Sequence, residues 1–475
     1  MRWAWLCLAV ACSGGTPSDH GDARGDAPPG CGDGVIAGDE QCDGTDLGGA
    51  TCASAVAPGW LGTLGCTSAC AFDVAACNTP QTTYTAGFTT SANWEAFDVA
   101  AVSASAVGFA SSVFDGRYLY LVPGNGSVIA RYDSNAMFTD GGSWTVFDLA
   151  AVTTNATNFQ GGAFDGKYIY LVPYGGGVSG VALRYDPTNA NGFASAQSWT
   201  AFDLTTVNAN AKGFVRAVFD GRYIYYVPYY NGAYHGTTAR YDTRGGFGDP
   251  TSWQVFDLST VNPAAMGYFG GEFDGRYVYY VPYYNGAYNG TVMRLDTHAP
   301  SGFADASSWT AFDTTTVFAD DVGFEGAAFD GRYLYMPQGA DQLGYGQYVA
   351  RYDTQAPFGA AASWTQYAPT SLCGYNGAVF DGRYVEFSCF SDGQSYVGTT
   401  VAYDTQGGGF ANPAAWSLFD ASGLNTSAKG MDGAAFDGAN VYFVPYFNGV
   451  YQGVVTRYHA KTPSWEPRGW NSTFE

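Results

Sequence analysis

At 475 residues the chain exceeds one ordinary domain unless an internal repeat builds it. Aromatic residues reach 17%, Gly occupies 65 positions and charged residues only 13%, a composition that argues against long amphipathic helices and for short strands joined by tight turns. The net charge of −22, from 42 Asp+Glu against 20 Lys+Arg, repels polyanions and leaves no basic stripe for phosphates, so nucleic acid is not expected as a partner. Solubility of an exported chain accounts for the acidity. In chain order the first feature is Arg2 followed by the apolar run Trp3 to Ala11, too short to span a bilayer as a helix and readable as an export signal.

The next residues, Ala9-Val10-Ala11-Cys12, resemble a bacterial lipobox, although Leu is commoner where Ala9 stands. The resemblance implies that residues 1–12 are signal and lipobox, that Cys12 is lipidated, and that the chain meets the membrane through a lipid anchor only. Ser13 in place of Asp implies the outer membrane or cell surface, with residues 13–30 as a flexible tether. Simple secretion with Cys12 removed is the alternative. Six cysteines follow within residues 31–77, Cys31, Cys42, Cys52, Cys66, Cys70 and Cys77, in a segment too small for a sizeable core. Three disulfides are expected there, in a connectivity the sequence leaves open. Zinc is the competing reading, but it needs reduced thiolates and only Cys66 and Cys70 are closely spaced, so no metal is expected. The string Cys31-Gly-Asp-Gly, with Gly38-Asp-Glu-Gln-Cys42-Asp-Gly, resembles cysteine-rich modules of myxobacterial surface proteins. That likeness covers residues 31–77 and implies a surface location, not a chemistry. Residues 78–90 read as a linker.

From residue 91 onward one phrase organises the chain. Phe-Asp-Gly recurs with its aspartates at Asp115, Asp165, Asp220, Asp274, Asp330, Asp381 and Asp437, 50 to 56 residues apart. Each unit runs in the same order: a small-residue stretch ending in Phe-Asp-Gly, an aromatic run such as Arg222 to Pro228, a segment such as Ala239 to Asp242, then Trp253 to Asp257. Those are four strands, and Asp-Gly between alternating runs predicts type I′ hairpin turns. Four antiparallel strands repeated seven times predict an all-β, seven-bladed propeller over residues 91–475. Trp-x-x-(Phe or Tyr) begins at Trp94, ahead of the first Phe-Asp-Gly, and has no clear copy after the last. Trp94 to Asp98 is therefore expected to supply the outer strand of the seventh blade and so remove the exposed edge. Small residues such as Gly161, Gly270, Gly326 and Gly433 suit the crowded innermost strands, and the repeated arginines after the turns and in the third strands read as structural partners between layers. Cys373 and Cys389 flank one hairpin and are expected to form a disulfide, with Cys389 opposite Gly374. The order aromatic strand, Tyr-Asp, Trp is similar to kelch repeats, whose Gly-Gly pair is replaced here by Val-Pro as at Val227-Pro228. Propellers of that kind serve as binding modules and as enzymes, so the resemblance leaves function open.

Little in the sequence points to catalysis. His20, His235, His298 and His459 fall in a tether or on opposite faces and are not expected to share a metal. No nucleophile elbow, phosphate loop or metalloprotease motif is present, and no cofactor is expected. Three loops on one face, called the upper face, carry the repeated aromatic and Asn-Gly strings with Tyr230, Asn231 and Tyr234, Tyr284, Asn285 and Tyr288, and Asn448 and Tyr451. Tyrosine rings stack on sugar faces while amides bond hydroxyls, which suits a glycan; the same loops also suit plain turn formation with tyrosines packed between blades. Residues that break the sevenfold pattern near the upper end of the innermost strands are Gln160, Arg216, Glu325, Asn376 and Asp432, placed to ring the mouth of a central channel. The sequence thus favours a monomeric surface scaffold that binds glycan or another surface protein. A hydrolase or lyase using Glu325 and Asp432 is the alternative.

Overall fold

The computed structural model describes residues 87–462, except 343 and 370–372, together with parts of the segment from 36 to 85. The apolar run, Cys12 and Cys31 lie outside the described residues. The chain divides into two compact units, residues 1–81 and 82–475. In the first, Cys42 and Cys66 form a disulfide. Among the described residues no helix is long and apolar enough to cross a membrane.

The second unit is a seven-bladed propeller of seven four-stranded antiparallel sheets. Blade one comprises Phe109–Phe114, Tyr118–Pro123, Val128–Asp133 and Trp144–Asp148, and the others repeat it. Blade seven takes its outer strand, Trp94–Asp98, from the N-terminal side, pairing Trp94 with Tyr458 and Asp98 with Val454. Closure also shows in the side chains. The aromatic residue three places after each outer-strand tryptophan packs against the tryptophan of the next blade, as in Phe202–Trp253 at 5.1 Å and Phe312–Trp364 at 4.9 Å. The series closes through Phe419–Trp94 at 4.2 Å and Phe97–Trp144 at 5.3 Å. Such stacks contribute about 0.5–1.5 kcal/mol each beyond burial, so the ring of seven acts as a hoop.

The arginines serve the same end. Arg117, Arg222, Arg276, Arg332 and Arg383 each pair with the aspartate ending their blade's third strand. Those of the third strands lie over rings in their own blade and the next, Arg240 over Tyr223 and Phe303 at 4.0 and 4.7 Å.

Two local expectations need correction. In the Asp-Gly turns only the glycine has positive φ, +94° at Gly221, so they are not type I′. The aspartate side chain closes the turn instead: Asp220 Oδ1 accepts from the N–H groups of Arg222 (2.8 Å) and Tyr223 (2.6 Å), and Oδ2 from the Tyr225 hydroxyl (2.7 Å). The Cys373–Cys389 disulfide is present, with Cα atoms 5.6 Å apart, but Cys389 lies opposite Tyr375, while Gly374 faces Ser391. Irregularities in the inner strand shift the register.

Candidate functional site

Each inner strand departs from regular pairing near its upper end. In blade three the ladder skips from Phe214 to Ala217, in blade two from Phe159 to Gly162, in blade seven from Met431 to Ala434. The skipped residues form bulges, which re-aim side chains out of the ladder. Gln160, Arg216, Asn376 and Asp432 all fall in such skips. At one level of the bulge the backbones nearly touch around the axis: a Cβ on Gly326 would lie 2.8 Å from Gly377 Cα, and one on Gly377 2.8 Å from Gly433 Cα. Four residues before each turn aspartate the chain therefore carries Ser111, Gly161, Gly270, Gly326, Gly377 and Gly433. The seventh member is Arg216.

Arg216 holds φ = +59°, a left-handed conformation uncommon for a side chain of its size. Its guanidinium reaches Asp432 of blade seven at 2.5 Å and also donates to the Ala110 carbonyl of blade one. The side chains are 14% and 4% exposed, so the pair spans the axis largely out of water. Below it runs a channel of about 110 Å³ walled by Ser112, Gly162, Gly271, Gly326 and Ala378.

Glu325, one residue before Gly326, is buried. Loss of hydration, with the neighbouring Asp432 carboxylate, pushes its pKa up to about 8. Tyr283 hydrogen-bonds it, pulling the other way, and Asn376, with its amide nitrogen turned toward the carboxyl, donates to Oε2 at 2.7 Å. Burial likewise raises Asp432 to about 6, against the opposing pull of Arg216. The floor of the mouth at neutral pH therefore holds one ion pair and one proton-bearing carboxyl.

Aromatic side chains surround this floor. Tyr174, Tyr229 and Tyr283 follow one another at 6.2 Å centroid spacing, Phe269 fits between the last two at 5.1 and 5.4 Å, and Phe390 and Tyr446 stand 6.3 Å apart on the other side. Tyr229, Tyr283 and Tyr446 begin the aromatic Asn-Gly strings of the upper face, but the sequence does not show that they gather round the axis with Tyr174, Phe269 and Phe390. The tyrosines of this wall, Tyr174, Tyr229, Tyr283 and Tyr446, directly follow the proline that ends each second strand, where repetition makes a tyrosine look like one more scaffold residue; Phe269, standing where other blades carry Gln160, Glu325 or Asp432, breaks the pattern.

The residues of the Asn-Gly loops sit further out. Tyr230 and Tyr234 pack at 5.2 Å, Tyr234 and Tyr284 at 5.0 Å across the blade boundary, and Tyr284 and Tyr288 at 5.1 Å. The amides of Asn231, Asn285 and Asn448 donate to the carbonyls of Asn210, Ala264 and Ser427, which ties each loop to the segment before its own blade. Tyr451, 41% exposed, is the most open of these rings. Gln160 is buried on the blade-two side of the mouth. His235 is buried with its pKa lowered to about 4 by loss of hydration, and His459 Nδ1 bonds Asn440.

No family model and no curated protein matches the sequence. Among solved structures the chain is similar to virginiamycin B lyase from Staphylococcus aureus, 11% identical, with a TM-score of 0.52 over 77% of this chain and 98% of that one. It is also similar to the Cps50 (Swd1) β-propeller domain of Myceliophteria thermophila, 9% identical over 75% and 96% of the two chains, TM-score 0.46. A third is PorZ, a bacterial surface component of the type-IX secretion system of Porphyromonas gingivalis, 10% identical over 79% of this chain and 40% of that one, TM-score 0.44. Likeness at these identities concerns the fold alone.

Proposed function

We propose that the propeller is the binding head of an exported surface protein and that it holds a neutral glycan at the upper mouth of its axis. The observation that carries the reading is the wall of Tyr174, Tyr229, Phe269, Tyr283 and Tyr446 around the charged pair that crosses the axis at the glycine level, Arg216–Asp432. Aromatic faces stack on the apolar faces of sugar rings, while tyrosine hydroxyls, the Asn376 amide and a protonated Glu325 exchange hydrogen bonds with hydroxyl groups. A neutral floor suits an uncharged ligand. The Asn-Gly loops support the wall, since their amides are already committed to backbone carbonyls. Export is supported by the apolar N-terminal run and by disulfides Cys42–Cys66 and Cys373–Cys389, which persist in oxidising compartments.

One observation favours a second reading, hydrolysis: a buried carboxyl with its pKa near 8 is a general acid in waiting, and a second carboxyl stands near it. Against it, Asp432 is held by Arg216 and so is poorly placed to act alone as base or nucleophile. A neutral-glycan array probed with the full chain tests both readings. Tyr283→Ala is expected to abolish capture, and Glu325→Gln to retain it. Full capture by Tyr283→Ala would refute the mouth as the site, and glycan cleavage lost in Glu325→Gln would favour the enzyme.

A further inference from the structure

Between the second-to-third loops of blades five and six the upper face opens into a groove of about 330 Å³, lined by Tyr345, Gln347, Asp392, Gln394 and the backbones of Gly344 and Gly393, with Cys373 of the disulfide in its wall. These two loops abandon the aromatic Asn-Gly string of blades three, four and seven. Tyr345 is 40% exposed, yet its ring is seated: a Cβ on Gly393 would lie 2.6 Å from Cδ2, and one on Gly374 3.0 Å from Cδ1. Only glycine leaves that slot open. Asp392 Oδ1 accepts from the N–H groups of Gln394 (2.9 Å) and Ser395 (2.7 Å), bonds that lower its pKa and keep it ionised as an acceptor. Two side-chain amides, one carboxylate, one seated ring and no lysine or arginine among the lining residues describe a surface for hydroxyl groups. It matches neither an anionic nor an apolar chain.

The groove adjoins the axial mouth. A Cβ on Gly339 would strike Glu325 Cγ at 2.7 Å, and one on Gly374 would lie 2.3 Å from the Gly339 carbonyl oxygen, so one thin wall of glycine backbone separates Glu325 from the ring of Tyr345. We infer that the ligand is an oligosaccharide, with one sugar in the mouth and the following ones running outward between blades five and six over Tyr345. This rests on the glycan reading of the mouth and adds chain length and direction to it.

Calorimetric titration of the full chain with glucose, cellobiose and cellotetraose, and with the maltose and N-acetylglucosamine series, separates the two claims. In at least one series the tetramer is expected to bind about tenfold more tightly than the monosaccharide. Tyr345→Ala should remove that gain while leaving monosaccharide affinity intact, and Tyr283→Ala should weaken every length. Gln394→Ala, at an exposed position, should reduce the gain in the same sense and serves if Tyr345→Ala is unstable. Equal affinity at all lengths, or a gain that survives Tyr345→Ala and Gln394→Ala, overturns the groove and leaves the mouth standing. Failure of every series to bind overturns both.

Discussion

The two faces of the propeller use the same strands in opposite ways. At the lower face the turn aspartate accepts a tyrosine hydroxyl five residues on in six blades, from Tyr120–Asp115 to Tyr442–Asp437. At the upper mouth the corresponding strand ends carry Gln160, Val215 with Arg216, Phe269, Glu325, Asn376 and Asp432. Repetition marks the residues that hold the ring, and its loss marks those free to meet something else. Blade six shows that the rule has exceptions, since Glu386 stands there where tyrosine stands elsewhere.

The hoop gives the largest expected effect. Trp94 is 4% exposed, stacks on Phe419 and donates Nε1–H to the Phe88 carbonyl at 2.7 Å. Trp94→Ala is expected to cost about 3–5 kcal/mol, read as a lowered denaturant midpoint, and to loosen the seam between blades six and seven. A midpoint equal to wild type would show that the closing strand is dispensable.

A buried carboxyl sharpens the comparison from the opposite side. Nine residues before the turn aspartate, Ala106, Ala156, Ala211, Ala265 and Ala428 fill the core of their blades, but blade five has Asp321. Neither of its carboxyl oxygens has a hydrogen-bond partner, and loss of hydration with Asp320 nearby raises its pKa to about 8. In the unfolded chain the same group titrates near pH 3.9. Below that pH both states are protonated and the group contributes nothing. Between about pH 4 and 8 the unfolded chain releases the proton that the fold retains, so stability falls as pH rises. Asp321→Ala is expected to raise stability by about 2 kcal/mol at neutral pH and to flatten that slope; a less stable variant would mean that the carboxyl has a use.

These cases indicate what sequence reading can reach. The seven blades, the closing strand and the Cys373–Cys389 bond were legible because each rests on a spacing that recurs or pairs along the chain. The mouth was only half legible. Arg216, Glu325 and Asp432 announced themselves by breaking the repeat, but their convergence depends on bulges that no spacing reveals. Tyr174 was hidden because the same residue type packs the blades, and Tyr229 and Tyr283 looked like parts of separate loops rather than of one wall around the axis. The Asn-Gly amides looked available because the carbonyls they bond, 21 residues earlier in the chain, become neighbours only in the fold.

A smaller effect is expected at the exception in blade six. Asp381 and Glu386 meet as two buried carboxyl groups, and burial raises Asp381 to about 6. The pair bonds only while one member holds a proton, whereas tyrosine donates at any pH below its own high pKa. The raised Asp381 pKa again means stability lost as pH rises, here from about pH 4 through 6. Glu386→Gln supplies a permanent N–H donor and is expected to reduce that loss by about 1 kcal/mol, measured as the difference in unfolding free energy between pH 5 and 8. An unchanged difference would place the titration elsewhere.

The smallest effect on stability should come with the largest effect on binding. Arg216 occupies a left-handed backbone position where five other blades carry glycine. Arg216→Gly relieves that conformation, a gain of about 1 kcal/mol, but removes the partner of buried Asp432, whose pKa of about 6 is held down by the guanidinium. Without it Asp432 is expected to take up a proton, which limits the cost. The two effects oppose one another, and the net change should stay within about 1 kcal/mol. The floor of the mouth, by contrast, loses its cross-axis brace, and the way into the channel below is no longer blocked by a side chain. Glycan capture should fall by at least about tenfold with the melting temperature nearly unchanged. If Arg216→Gly instead unfolds readily, the arginine belongs with the hoop and the turn aspartates as a structural device. If it stays folded and binds as wild type does, the charge across the axis plays no part in recognition and the aromatic wall must act alone.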